Sequence, residues 1–152
     1  MYISSTCTNL VKKYEGFRSK PYKCPANVWT IGYGSTFYLN DEKVSMYDSE
    51  ISETFASELL EKVLNDFATK VDNIIKVSLN QNQFDALVSF TYNIGISAFT
   101  KSTLLTKLNN ADFQGASNEF IRWNKANGKV LKGLTNRRLD EQKLFENKYK
   151  II

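Results

Sequence analysis

The chain has no histidine. That absence excludes a Ser-His-Asp triad, a Cys-His dyad and any zinc site built on imidazole, and two cysteines are too few for a four-thiolate site. No metal site and no cofactor is expected. Acid–base work near neutral pH falls to carboxylates, tyrosines, lysines or the thiols. With only 2 cysteines, 2 prolines and 7 glycines in 152 residues, a disulfide-stapled scaffold, a collagen-like repeat and a disordered chain are excluded as well. No apolar run is longer than three residues, far short of the roughly 20 that a membrane-spanning helix needs. The start, Met1-Tyr2-Ile3-Ser4-Ser5, lacks the basic-then-apolar order of a secretory signal, so neither an export signal nor a stable membrane anchor is expected. What is present is ordinary for a folded domain: 42% hydrophobic and 24% charged residues.

The net charge of +4 is unevenly spread. Residues 101–152 hold 11 Lys and Arg against 5 Asp and Glu, whereas residues 1–100 hold 9 against 11. Within the first part, residues 41–66 carry eight carboxylates against Lys43 and Lys62. A basic C-terminal third predicts attraction to a polyanion, whether nucleic acid, anionic lipid or cell-wall polymer. A solvated helical face is the ordinary alternative.

No internal repeat or low-complexity segment divides the chain. It reads as a single domain over 1–152, with a small β lobe over about 15–50 and a helical lobe made of the remainder, including the first helix. Leu10, Val11 and Tyr14 predict that helix over about Ser5–Tyr14, with Gly16 as its stop. Trp29, Thr30, Ile31, Tyr33, Phe37 and Tyr38, interrupted by Gly32 and Gly34, predict a small twisted hairpin sheet within 17–39. Phe55, Leu59, Val63, Phe67 and Val71 recur every four residues and predict a long core-facing helix from near Ser52 that links the lobes. Asn80 with Gln83 forms a capping pair for a helix closed near Gly95. A short helix is expected over Thr103–Leu108, another capped by Asp112, and a last one capped by Thr135. One helix, a small sheet and then helices make an α+β fold, mostly α, with a ligand cleft between the lobes.

The most informative stretch is Glu15-Gly16-Phe17-Arg18-Ser19-Lys20-Pro21-Tyr22-Lys23-Cys24-Pro25-Ala26-Asn27-Val28-Trp29-Thr30-Ile31-Gly32-Tyr33-Gly34. Glu15 ends a helix and is expected to point into the mouth of the cleft, with Cys24 and Thr30 on the sheet that follows. Taken singly, each residue has a bland reading: a solvated glutamate, a small packing cysteine, a Gly-Tyr-Gly turn.

Taken together they are specific. Glu, eight residues, Cys, five residues, Thr, then Ile-Gly-Tyr-Gly resembles the catalytic block of phage-type lysozymes, the endolysins of the T4 lysozyme family, whose pattern is Glu-(8)-Asp/Cys-(5)-Thr. The resemblance extends through Leu79–Phe90 with Asn93-Ile94-Gly95, through Ser102-Thr103-Leu104-Leu105, and through Gly133-Leu134-Thr135-Asn136-Arg137-Arg138 to Glu141 and Leu144-Phe145. It covers nearly the whole chain, from about Ser4 to Phe145.

The resemblance implies a lysozyme-like fold and hydrolysis of the β-1,4 bond between N-acetylmuramic acid and N-acetylglucosamine in bacterial peptidoglycan. Glycoside hydrolysis needs a protonated acid at the leaving oxygen and a second group on the opposite face of the sugar. Glu15 is the implied general acid, with Cys24 and Thr30 activating or positioning water. A low-dielectric pocket that keeps Glu15 protonated is expected from aromatic neighbours such as Tyr33 or Trp29. The family also implies that Arg137 lies against Glu15 in a supporting role, which works against that protonation. Tyr33, Asn93, Phe99 and Asn136 are implied as substrate-binding residues.

Two positions depart from the commoner pattern. Cys24 stands where most members carry aspartate, and Lys20 and Lys23 are expected to favour its thiolate. It can be a base, a nucleophile or inert, and pairing with Cys7 in a disulfide is a further option. Ser35 stands where histidine is common. The family implies a phage or prophage source. With no export signal, the chain is expected to collect in the host bacterial cytoplasm and to reach the extracytoplasmic wall when a holin-type membrane protein opens the way. With no helix-turn-helix or aromatic–basic motif, a monomer that binds no nucleic acid is expected. The competing readings are a non-hydrolytic peptidoglycan-binding domain, a lytic transglycosylase using Glu15 alone, and, on charge only, a nucleic-acid-binding helical domain.

The charge asymmetry has a measurable consequence. Binding to isolated cell walls is expected to weaken as salt rises past physiological strength, where the screening length falls below about 8 Å. Binding that is unchanged between low and high salt in a sedimentation assay would make the basic third a solvated face only.

Overall fold

The computed structural model describes residues 1–150. Helix α1, Ser5–Glu15, starts where the Ser4 side chain accepts from the Thr6 N–H, and it ends at Gly16, whose φ of 72° stops the helix directly after Glu15. The Ser4 N–H and hydroxyl both donate to the buried Asp85 carboxylate, which pins this helix start to the interior.

Strands β1, Arg18–Lys23, and β2, Trp29–Gly32, pair antiparallel, with Tyr22 opposite Thr30 and Lys23 opposite Trp29. The expected hairpin is therefore present, while Ser35 joins it only through a single bridge to Ile31 and Phe37 lies outside it, bridging Lys43. A small core of Ile31, Val44 and Leu59 fills this lobe, with Trp29, Tyr38, Ile51 and Phe55 packed around it.

Helix α2, Glu53–Ile74, opens on Ser52, whose side chain accepts from the Phe55 N–H, and runs 22 residues, about 33 Å at 1.5 Å per residue. The expected stripe links the two cores, winding from one to the other along the helix. Leu59 packs in the small core, Val63 and Phe67 are half-buried along a cleft, and Val71 reaches the large core. The continuous large-core face is Ala56, Leu60, Leu64, Ala68 and Val71.

Helix α3, Gln81–Ile94, carries the expected capping box of Asn80 and Gln83 and is buried from Phe84 through Thr91. Helices α4, Ile96–Thr100, α5, Thr103–Asn109, and α6, Phe113–Glu119, follow, the last two capped by Ser102 and Asp112. A 3₁₀ turn, Phe120–Arg122, leads to a two-residue hairpin, β3 (Lys125–Ala126) and β4 (Lys129–Val130), and then to helix α7, Lys132–Phe145. Thr135 does not cap that helix. The hairpin, turning through Asn127 and Gly128 at positive φ, delivers the chain at Leu131 straight into helical geometry. Thr135 lies one turn inside, its N–H bonded to the Leu131 carbonyl and its hydroxyl accepting from the Asn124 amide. Among the described residues no helix is long and apolar enough to cross a membrane.

The large core gathers on α3. Phe90 meets Phe99, Phe120 and Trp123 edge-on, with ring centroids 6.2, 5.1 and 5.8 Å away. Truncating it removes three aromatic contacts from a site that cannot collapse. Phe90→Ala is expected to cost about 3–5 kcal/mol in urea unfolding. A loss below about 1 kcal/mol would show that the helical lobe does not depend on this hub.

Candidate active site

Because Gly16 ends α1, Glu15 projects from the helix terminus into the space between the lobes, with its side chain 25% exposed. A cavity of about 370 Å³ opens there, lined by Glu15, by Gly34 to Phe37 of the small lobe, by Val63 and Phe67 of α2, and by Tyr92 and Asn93 of α3. Gly34 has a φ of 89°, and a Cβ on it would lie 3.3 Å from both Glu15 Oε2 and the Tyr92 hydroxyl. Only glycine gives the carboxylate that room. Tyr92 donates to the Tyr33 carbonyl at 3.2 Å, tying the helical lobe to the turn beside Glu15. Burial, and next the negative charge of Glu15, push the Tyr92 phenol above its ordinary range.

The aromatic wall beside Glu15 is thus Tyr92, and the expectation of Tyr33 or Trp29 is corrected. Tyr33 lies between two positive-φ glycines and is buried on another side. Its hydroxyl donates to Glu53 at 2.9 Å, and the Lys12 ammonium lies over its ring. Trp29 packs on the small core under Lys23.

Arg137 lies against Glu15 as the resemblance implies. Its NH1 donates to Glu15 Oε1 at 3.1 Å, its Nε to Glu141 Oε2 at 3.4 Å and its NH2 to the Ser89 carbonyl at 3.4 Å. Glu141 is fully buried, accepts from the Ser89 hydroxyl at 2.6 Å, and meets Arg138 Nε at 2.8 Å in an ionic contact. Burial pushes the Glu141 carboxyl up from its ordinary range, opposed by both guanidinium groups. Arg138 NH2 donates to Asn93 Oδ1 at 2.7 Å on the cleft wall. Sequence reasoning named Arg137 and missed Arg138 and Glu141 as parts of one network. The available signal was an Arg-Arg pair with a glutamate three and four residues on, in a helix poor in apolar residues at helical spacing.

Cys24 follows β1, and Thr30 lies opposite Tyr22, so Tyr22, Cys24 and Thr30 share one face of the hairpin. The Cys24 thiol is partly exposed and is held below its ordinary range by the Val28 N–H, with the Ala26 N–H and the Thr30 hydroxyl adding to it. The expected help from Lys20 and Lys23 is not the cause: both are exposed, and Lys23 lies over the Trp29 ring. Thr30 is buried, and its single hydroxyl proton has two acceptors within reach, the Val28 carbonyl at 2.9 Å and the Cys24 sulfur, so it can turn from the first to the second as the thiol ionises. Burial first, and then the charges of Glu15 and Cys24, push the Tyr22 phenol up, which puts Tyr22 within electrostatic reach of both groups.

Of the four implied substrate residues, the structure puts one on this cleft. Asn93 lines it, and because Arg138 can only donate, the Asn93 oxygen faces Arg138 and its NH₂ stays available as a donor. Phe99 is fully buried against Phe90, with no surface open to a ligand. Asn136 is exposed on α7. Phe37, 46% exposed on the cleft, is an aromatic that sequence reasoning did not select. Ser35 is buried beside the cavity, its hydroxyl unpartnered among the described residues. Cys7 is buried beneath α1 and Cys24 lies on the hairpin, both as free thiols. A larger recess of about 710 Å³ lies between α1 and residues 140–150, with four lysines among its nine lining residues. It holds no acid free of a partner, since Asp140 accepts from Lys13 and Tyr14.

The Phage lysozyme family model matches residues 12–141. The chain is 47% identical over 151 residues to the endolysin of Acyrthosiphon pisum secondary endosymbiont phage 1, covering 97% of this chain and 99% of that protein. It is 46% identical over 147 residues to the endolysin of Bacillus phage B103, covering 95% of this chain, and spans 54% of that relative's length. The solved structure of an endolysin from Escherichia coli O157:H7 phage FAHEc1 matches with a TM-score of 0.88 at 33% identity, over 99% of this chain and 98% of that one.

The environment of Cys24 is testable directly. The midpoint for alkylation by iodoacetamide is expected below that of a free thiol, about 8.5. Thr30→Val removes one of the donors and is expected to move the midpoint upward. A midpoint at or above that of glutathione, measured in parallel, would remove the case for a tuned thiolate.

Proposed function

Because the chain belongs to the phage lysozyme family and has its lysozyme-like α+β fold, we propose that it is an endolysin. It is a glycoside hydrolase that cleaves the β-1,4 bond between N-acetylmuramic acid and N-acetylglucosamine in peptidoglycan. The observation that carries the reading is Glu15 at the end of α1 on the cleft wall, braced by Arg137 at 3.1 Å.

In this reading Glu15 gives its proton to the leaving glycosidic oxygen. As the proton departs, the forming carboxylate is met by a guanidinium already in place, which stabilises charge where it develops without reorganisation. Arg137 is buried, so solvent screens its side of that pair little. Cys24, its thiol held below its ordinary range by backbone N–H groups, and Thr30 activate or position the water that attacks from the opposite face. The Asn93 amide serves an acetamido or hydroxyl group of the glycan, and the Phe37 ring offers a face for a sugar. The exposed amide of Asn136 is assigned to the glycan further from the bond that breaks. The two lobes together form one catalytic unit. Storage in the host cytoplasm and release to the wall through a holin-type membrane protein complete the reading.

Glu15→Gln keeps the shape and can still accept from Arg137, but it has no proton to give. Its lytic activity, followed as turbidity loss of a cell-wall suspension, is expected to fall at least about a hundredfold. Mass analysis of the wild-type products is expected to show reducing muramic acid ends. Anhydro-muramic ends would instead make the chain a lytic transglycosylase, and no cleavage at all would make it a binding domain.

A further inference from the structure

We propose that Glu141 is a positioning residue for this cleavage: one buried carboxylate holds Arg137 on the acid Glu15 and Arg138 on the cleft amide Asn93. The proposal rests on the muramidase reading and assigns it a residue that touches no substrate.

The geometry is two-armed. Glu141 Oε2 takes the Arg137 Nε at 3.4 Å, and Oε1 faces the Arg138 Nε at 2.8 Å. The far nitrogens of the same guanidinium groups reach Glu15 at 3.1 Å and Asn93 at 2.7 Å. Planar guanidinium groups transmit such placement because their nitrogens keep a fixed fork. Ser89 of α3 anchors the hub from the opposite side, by its hydroxyl on Glu141 and its carbonyl on Arg137.

Charge counting gives the hub a second task. Arg137, which touches Glu15, and Arg138, which does not, are both buried, and Glu141 is the carboxylate they share. The other groups near the pair are neutral near pH 7. They are Cys7 and Tyr14 on α1, Tyr22 on β1 and Tyr92 on α3, each pushed up chiefly by burial. Asp85 is bonded to Ser4 and Gln81, and Asp140 to Lys13 and Tyr14. Lys12 is paired with Glu53, and Arg18 lies over Tyr22. Arg137 is therefore the cation that Glu15 meets, and Glu141 is shared between it and Arg138. Losing the Glu141 charge leaves Arg137 to Glu15 alone and favours the carboxylate over the acid form that catalysis needs. Losing the Arg138 charge leaves Glu141 wholly to Arg137 and does the reverse.

The test is the pH profile of kcat/KM on soluble peptidoglycan fragments for the wild type, Glu141→Gln, Arg138→Met and the double variant, each checked for folding by circular dichroism. The alkaline limb is expected to move down by about one pH unit in Glu141→Gln and up in Arg138→Met, and to return to the wild-type position in the double variant. KM is expected to rise several-fold wherever Arg138 is lost, because Asn93 loses its anchor. A purely structural role would lower stability and leave the limb in place. Limbs that coincide in the folded variants, or that move the same way in both single variants, would overturn the proposal. If Glu141→Gln does not fold, the direction of the Arg138→Met shift decides alone. A wild type that cleaves no glycan fails the muramidase reading instead, and its product analysis shows that before any variant is compared.

Discussion

Two guanidinium groups lie buried beneath the cleft, and neutralising them is the constraint from which the rest of the site follows. An unpaired buried cation costs several kcal/mol, so α7 can enter the interior only if carboxylates meet it there. Glu141 supplies one from the same helix, and Glu15 supplies the other from the end of α1. The two helices are far apart in sequence, and the ion pair between them fixes where the acid stands. The same pair that makes burial tolerable thus places the carboxyl group proposed to take part in catalysis.

The small lobe completes the site by close approach rather than by charge. Gly34 leaves room for the Glu15 carboxylate, and Tyr92 bonds to the neighbouring carbonyl at Tyr33, so the turn is clamped to α3. The hairpin presents Tyr22, Cys24 and Thr30 on one face, and its tight turn aims backbone N–H groups at the Cys24 sulfur. A thiol held this way can stand where aspartate is commoner, because the turn lowers it without a cationic neighbour. Helix α2 joins the two cores, and its winding stripe lends Val63 and Phe67 to the cleft between them.

Much of this was legible in the chain itself. The spacing of Glu15, Cys24 and Thr30, the glycines at 16, 32 and 34, and the caps at Asn80 and Asp112 are local signals, set by backbone geometry within a few residues. They determined the helix that ends at the acid, the hairpin that follows and the order of the helices. Thr135 misled for the reciprocal reason. A cap is chosen by how the preceding hairpin delivers the chain, and the sign of that hairpin, the Asn127-Gly128 turn, lies apart from the helix start at Leu131.

What lies across the chain was decided only by folding. Nothing local tells whether an aromatic near the acid faces it, and Tyr33 turned to Glu53 while Tyr92, far along the chain, took its place. Phe99 likewise read as a ligand residue and became core, because Phe90 packs against it. An Arg-Arg-x-x-Glu pattern on a helix has the spacing of ordinary surface pairs, and only the packing of α3 against α7 buries it. Sequence by itself determined which chemistry is present and at what spacing, since those are properties of neighbours. Tertiary structure decided which charges lose their water, because desolvation depends on every element packed around a group and on none of them alone.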